Sequence, residues 1–366
     1  MMKDSRANDP NHLTRREFLK LAGVSLLGLI LPPIPGLDRP ARHALPGLTL
    51  QDQEVTALGR VLNNRTTLRD KPSFDSKILK HYYYDLILPI TSITLGLDES
   101  DYNRVWYVVN EGEGYVYSGG VQPVEVRYNR AEDTFPKNGK LAEVTVPYTE
   151  AVWSYKNPNS VAYRMYYGTT HWVYSIHHAK DGKAWYRVQD DKKGYYYYVN
   201  ATHLHLFTEE ELAPISPEIP IREKRIEVNL KDQVVTAYEG ERAVFASRTA
   251  TGARFKDGDF RTRPGRFTTN RKRPSRHMAA GEPGVGSGFD LPGVPWVCYL
   301  TESGVSLHGT YWHNDFGSPR SHGCINLPTS AARWFYRWSL PAVRPHEQIV
   351  ERGEKDGTLV VIKESD

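Results

Sequence analysis

The chain has 366 residues, 39% hydrophobic and 25% charged, with 24 Pro and 29 Gly; this is globular composition with room for two or three domains, and it excludes a disordered or collagen-like chain. The net charge of +4 is mild, and the basic residues between 261 and 273 alternate with Gly, Pro and Thr, which excludes the dense basic face of a nucleic-acid binder but suits an anionic polymer as partner. Two cysteines, Cys298 and Cys324, exclude a disulfide framework.

In chain order, the first element is an address. Thr14-Arg15-Arg16-Glu17-Phe18-Leu19-Lys20 precedes an apolar run from Leu21 to Leu31, closed by Pro32, Pro33 and Pro35. A basic start, a short apolar core and a helix-breaking end read as a signal segment over residues 1–37. The paired arginines with Phe18 and Leu19 resemble a bacterial twin-arginine signal, which implies an extracytoplasmic protein. The apolar run is short for a transmembrane helix. No A-x-A cleavage site follows, so an uncleaved form would tether the chain to the membrane. Residues 38–54 read as a linker.

Two β-rich segments follow, 55–130 and 143–208. Each carries a W-Y-x-V strand (Trp106 to Val109; Trp185 to Val188), then a turn, then a strand opening on Gly-Tyr (Gly114-Tyr115; Gly194-Tyr195). This predicts hairpins with aromatic pairs across them. Both segments resemble bacterial SH3-type domains. That resemblance implies small barrels whose aromatics either contact cell-wall glycans or peptides, or fill the core of a spacer. The run Tyr195 to Tyr198 is expected to alternate inside and outside. Residues 209–223, rich in Pro, Ile and Glu, read as a stiff linker.

From 224 to 363 the pattern changes. Arg225 to Leu230 alternates, Lys231-Asp232-Gln233 turns, and Val234 to Tyr238 continues. Ala243 to Ala250 follows after Glu239-Gly240-Glu241, so antiparallel β with one wet face is predicted. Thr262 to Phe267 is a turn into a strand. Arg271 to Gly288, rich in Gly, Pro and basic residues, reads as a long loop and a lid. Pro328 starts a helix that puts Ala332, Phe335 and Trp338 on one face, and Thr358 to Lys363 closes as a strand.

Within this region His308-Gly309-Thr310 is followed, eleven residues on, by Ser321-His322-Gly323-Cys324-Ile325-Asn326. A thiolate is a strong nucleophile when a base sits beside it. Two imidazoles are candidates: His308 from a neighbouring strand, and His322, which on an extended strand would share the face of Cys324. Gly323 would let the N–H groups of Gly323 and Cys324 turn toward an oxyanion, and Gly309 would let backbone approach the imidazole. Asn326 would place an amide beside the acyl group, and Ser321 would hydrogen-bond around His308. Ser303-Gly304 mark the turn entering the His308 strand. Two other readings stand beside these: a zinc site of His308, His313, His322 and Cys324, and a structural Cys324 without chemistry. Cys298 reads as a small buried residue, or as the partner of Cys324 in a bridge.

The hairpin at 225–238, the T-x-P-G-x-F of Thr262 to Phe267, the HGT at 308 and the SHGCIN at 321 together resemble the L,D-transpeptidase (YkuD-type) catalytic domain. The resemblance implies a mostly β chain: two SH3-like barrels, then a β-sandwich with a short helix after the cysteine. It implies Cys324 as nucleophile, His308 as proton donor and acceptor, His322 in support, and an acyl-donor pocket near Ser303 and Gly304. Peptidoglycan stem peptides would be the substrate, joined through a thioester into 3→3 cross-links without metal or organic cofactor. An L,D-carboxypeptidase using the same acyl-enzyme and a non-catalytic wall-binding protein are the alternatives.

Overall fold

The computed structural model describes residues 53–256, 258–280 and 288–364. The expected signal segment, 1–37, and the linker as far as residue 52 lie outside the described residues. No helix among the described residues is long and apolar enough to cross a membrane.

The strands from Gln53 to Val124 form one seven-stranded sheet, and those from Lys140 to Leu206 form another. Numbered within each sheet, both run in the order third, second, sixth, fifth, fourth, first, seventh. The two segments are therefore topological repeats. The W-Y-x-V hairpins form as expected: Trp106 faces Tyr117 and Tyr107 faces Val116, while Tyr186 faces Val199 and Val188 faces Tyr197. The first turn has Asn110, Glu111 and Gly112 at positive φ, a tight reversal of the kind that joins antiparallel strands. Each sheet buries its own apolar face, with Tyr107, Val109 and Val116 in the first and Tyr186, Val188 and Val199 in the second. Each such Val side chain contributes about 1.5–3 kcal/mol by leaving water. In the tyrosine run, Tyr197 is buried, whereas Tyr195 and Tyr196 are both exposed; alternation begins only at Tyr196, where the strand begins.

The described remainder holds two five-stranded sheets, a two-stranded pairing of Arg254–Phe255 with Gly258–Asp259, and the helices Glu209–Leu212 and Thr329–Trp338. The first five-stranded sheet orders Arg242–Arg248, Val234–Glu239, Lys224–Asn229, Leu359–Lys363 and Gly265–Thr268. The second orders Ile325–Leu327, Ser306–Gly309, Phe289–Tyr299, Arg271–Ala280 and Val350–Glu351. Two of these pairings are parallel, 225–229 with 359–363 and 307–309 with 325–327, where alternation had suggested antiparallel β only. Alternation reports which face is buried and is silent on strand direction. Ile226, Val228, Val235 and Val360 from one sheet meet Trp296, Cys298, Leu307 and Ile325 from the other, and helix Thr329–Trp338 adds Ala332, Phe335 and Trp338.

The predicted loop over 271–288 is corrected. Arg271–Ala280 is a ten-residue strand paired along Phe289–Tyr299, leaving 281–287 outside the described residues. Pro274 is accommodated because the ladder is interrupted there: no pairing falls between Arg273↔Val297 and Ser275↔Pro295, and Trp296 opposite takes a positive φ. Cross-strand pairing outweighs a local composition of Pro and Arg. The strand also carries Lys272, fully buried, whose ammonium donates to the carbonyls of Tyr336, Ser339 and Pro341 and so closes the C-terminus of the helix.

The second sheet joins the third region through apolar contact: Leu141, Trp172 and Phe207 enter the same core as Trp296. The first sheet joins it through hydrogen bonds. Arg60, fully buried, pairs with Asp85, donates to Gln122 and to the Tyr311 carbonyl, and lies over the Tyr166 ring. One guanidinium thus touches all three parts of the chain.

Candidate active site

The site is built where Ser306–Gly309 runs parallel to Ile325–Leu327, with His308 opposite Asn326. Cys324 sits one residue before its strand, in a turn. Gly323 has φ of +114°, which a side chain would strain. That turn is held from three directions. The Ser321 hydroxyl donates to the Cys324 carbonyl at 2.5 Å and accepts from the Gly323 N–H at 3.1 Å. The Thr262 hydroxyl donates to the Gly323 carbonyl at 2.8 Å and accepts from the Gly252 N–H at 2.8 Å. Thr251 accepts from the N–H groups of Arg320 and Ser321. Gly252 has to be glycine: a Cβ there would lie 2.0 Å from the Phe260 carbonyl oxygen and 2.9 Å from the Gly323 Cα.

The Cys324 thiol is half-buried, with the Ser306 hydroxyl 3.7 Å and the Gly304 carbonyl 3.8 Å from its sulfur. Burial alone would push this thiol up. The hydrogen bond and charge of His308, helped by the Ser306 side chain and backbone, outweigh burial and hold it below its ordinary value. His308 is itself buried, its Nδ1 3.0 Å from the Gly309 carbonyl, so Nδ1 carries the proton and Nε2 is free to serve the thiol. Trp312 lies against its ring, centroids 5.7 Å apart. Cys298 contrasts: burial pushes its thiol up, it sits among core residues, and both cysteines are free.

His308, Cys324, Ser306 and Gly304 come together. Ser303 is exposed and bonds Thr301 across the turn. Gly309 is close-packed against Pro295 and Thr329, where a Cβ would meet atoms at 2.7 and 3.2 Å. Ser321 braces the Cys324 turn instead of contacting His308. The Gly323 N–H, expected at an oxyanion, donates to Ser321 Oγ at 3.1 Å within its own turn. His322 does not share the face of Cys324, since the chain is not extended at Gly323. Its exposed ring stacks on Phe255, 4.7 Å away and tilted by 18°, with Phe260 at 4.6 Å.

His313 takes the interior place. It is buried, burial pushes it down to about 3, its Nδ1 accepts from the Asp315 N–H at 3.3 Å, and its Nε2 lies 2.9 Å from the Asn326 side-chain amide. With His313 on Asn326 and His322 on Phe255, the four candidate zinc ligands do not converge. Among the described residues no group of three His, Cys, Asp or Glu is disposed to hold a metal. Ser306 and Gly252 were not singled out from sequence, Thr262 entered only as part of a motif, and His313 only as a candidate zinc ligand. Ser306 was legible, lying two residues before His308 on the same strand face; the others act through contacts distant in sequence.

Residues 223–362 match the family model of the YkuD L,D-transpeptidase catalytic domain, and this part of the chain is a domain of that kind. Among solved structures, the L,D-transpeptidase of Mycobacterium smegmatis is similar at 22% identity with a TM-score of 0.31, over 38% of this chain and 58% of that one. The catalytic domain of an Enterococcus faecium L,D-transpeptidase is similar at 21% identity and a TM-score of 0.29, over 38% and 96%. L,D-transpeptidase 3 of Mycobacterium tuberculosis, in complex with a faropenem-derived adduct, is similar at 19% and 0.29, over 38% and 60%. The chain thus spans a little over half the length of the first and third of these. No curated protein matches the chain.

Proposed function

We propose that the protein is a peptidoglycan L,D-transpeptidase working through a Cys324 thioester. The observation that carries this reading is a half-buried thiol lowered by His308, inside a domain of the L,D-transpeptidase family. The Cys324 sulfur attacks the carbonyl of the diamino acid in a tetrapeptide stem as His308 takes the thiol proton. The terminal D-Ala leaves with that proton. A side-chain amine of a second stem then attacks the thioester, gives up a proton through His308, and restores the thiol, leaving a 3→3 amide. The Cys324 N–H supplies the oxyanion contact, since Gly323's is engaged. Ser303, Gly304, Gly309, Ser321 and Asn326 are proposed to border the donor stem; His322, stacked among phenylalanines at the surface, supports it from the rim.

The domain division proposed is a twin-arginine-type segment at 1–37, SH3-like units at 55–130 and 143–208, and the catalytic domain at 224–363. The protein then acts outside the cytoplasm, tethered if the signal is uncleaved. The SH3-like units contact wall glycan or peptide through exposed aromatics such as Trp153 and Tyr195.

Incubation of the full chain with purified tetrapeptide muropeptides, beside Cys324→Ala, tests the reading. Cross-linked dimers that depend on Cys324 are expected. Tripeptide monomers alone would replace it with an L,D-carboxypeptidase, and no Cys324-dependent change would leave a wall-binding protein.

A further inference from the structure

The ends of the segment between His308 and Cys324 bond to their own domain, through Thr310 to Leu327 and through Arg320 and Ser321 to Thr251. Its middle, at Asn314, is docked into the first seven-stranded unit instead. The Asn314 backbone N–H donates to the Gly119 carbonyl at 3.1 Å, and Asn314 Nδ2 lies 3.2 Å from the Tyr107 hydroxyl, 3.2 Å from the Ser118 carbonyl and 3.1 Å from the Val121 carbonyl. The next residue, Asp315, accepts from the Tyr117 hydroxyl at 2.5 Å, is 3.5 Å from Asn103 Nδ2, and pairs with Arg320 at 2.7 Å. Gly119 leaves no slack: a Cβ there would lie 2.4 Å from the Tyr117 ring and 2.9 Å from the Asp315 carboxylate.

The contacts lead inward. The Asp315 N–H that follows Asn314 holds His313 Nδ1, and His313 Nε2 meets Asn326, the residue paired across from His308. Arg60 seizes the Tyr311 carbonyl on the other flank of the same segment. Among the described residues, the hydrogen bonds joining the first unit to the 224–363 region end on Tyr311, Asn314, Asp315 and Arg248, and the first three lie between nucleophile and base. The hydrophobic core of the first unit, by contrast, is its own. A unit serving only as a spacer would have no reason to place its buried hydrogen bonds on this one segment.

We propose that the 53–124 unit is part of the catalytic apparatus, with Asn314 and Asp315 as positioning residues that seat the His308–Cys324 segment against it. The inference rests on the Cys324 reading above and adds to it that the 224–363 region does not set its site alone.

The test uses the full chain and follows alkylation of Cys324 by iodoacetamide across pH, located by peptide mass spectrometry, with thermal melting alongside. Asn314→Ala is expected to slow alkylation at neutral pH at least about fivefold and to move its pH midpoint upward, as displacement of a reacting group does. Tyr117→Phe removes a single hydroxyl and should shift both in the same direction. Asp315→Ala should match Asn314→Ala, whereas Asp315→Asn, which keeps an acceptor for Tyr117, should recover most of the rate. Wild-type rate and midpoint in both Asn314→Ala and Tyr117→Phe would overturn the proposal, whatever happens to melting temperature. Should Asn314→Ala fail to fold, Tyr117→Phe and the Asp315 pair decide. A wild-type chain inert toward tetrapeptide stems would sink the transpeptidase reading, yet the alkylation comparison would still judge this one.

Discussion

The Thr262 hydroxyl donates to the Gly323 carbonyl at 2.8 Å while accepting from the Gly252 N–H at 2.8 Å. One buried hydroxyl thereby satisfies both sides of a gap between two backbone segments and holds Gly323, the residue before Cys324, in its positive-φ conformation. Thr262→Val keeps the shape and leaves both backbone groups unpaired, a cost of about 1–3 kcal/mol for each buried group. It is expected to slow Cys324 acylation by a β-lactam about tenfold or more, with Thr262→Ser close to wild type. Stopped-flow acylation of the three proteins checks this.

The thiol of Cys324 lies below its ordinary value because the His308 hydrogen bond and charge outweigh burial. Alkylation of Cys324 should therefore reach half its maximum at a pH below that of a free cysteine, and His308→Ala should move this midpoint upward. The sign follows for stability too. A depressed folded value contributes above the unfolded thiol's range, and the contribution disappears as pH falls through the folded value. Cys298, pushed up by burial, should stay unmodified throughout.

His277 lies between two carboxylates, Nδ1 on Asp190 of the second sheet's hairpin and Nε2 on Asp290 of the third region. Burial opposes its charge, but the two carboxylates outweigh burial and raise it above the ordinary imidazole value. Its contribution to stability is fully present below the unfolded imidazole value and is lost as pH rises through the folded one. The melting temperature should fall over that window, and His277→Gln should flatten the slope. Scanning calorimetry at several pH values with matched ionic strength would show it; an unchanged slope in the variant would refute the assignment.

Lys272 caps the helix that follows strand Ile325–Leu327 by donating to three carbonyls. Lys272→Met retains the aliphatic stem and strands those carbonyls, so a loss of at least about 2 kcal/mol is expected from the cost of unpaired buried acceptors. Denaturant unfolding followed by tryptophan fluorescence measures it directly, since Trp338 lies in that helix.

Much of this protein was legible from sequence alone. The alternation from Arg225, the W-Y-x-V hairpins and the helix after Pro328 are periodicities, and periodicity reports burial of a face wherever the chain is regular. His308 beside Cys324 was legible as well, because the two motifs stand on short neighbouring segments. The strand at 271–280 was not, since its Pro and Arg content argues locally against a strand that only the partner at 289–299 stabilises. The residues by themselves offered two histidines near the thiol, and it was the family resemblance that assigned the proton to His308 and support to His322. The positive φ at Gly323 sends His322 out to Phe255, and burial brings in His313, a histidine with no motif of its own. Tertiary structure likewise decided that Ser321 takes the Gly323 N–H and that Asn314, about 200 residues from Tyr107 and Ser118, finds its partners there. A motif encodes the chemistry its own residues can perform; where each donor and acceptor goes is settled by which distant backbone groups would otherwise be buried unpaired.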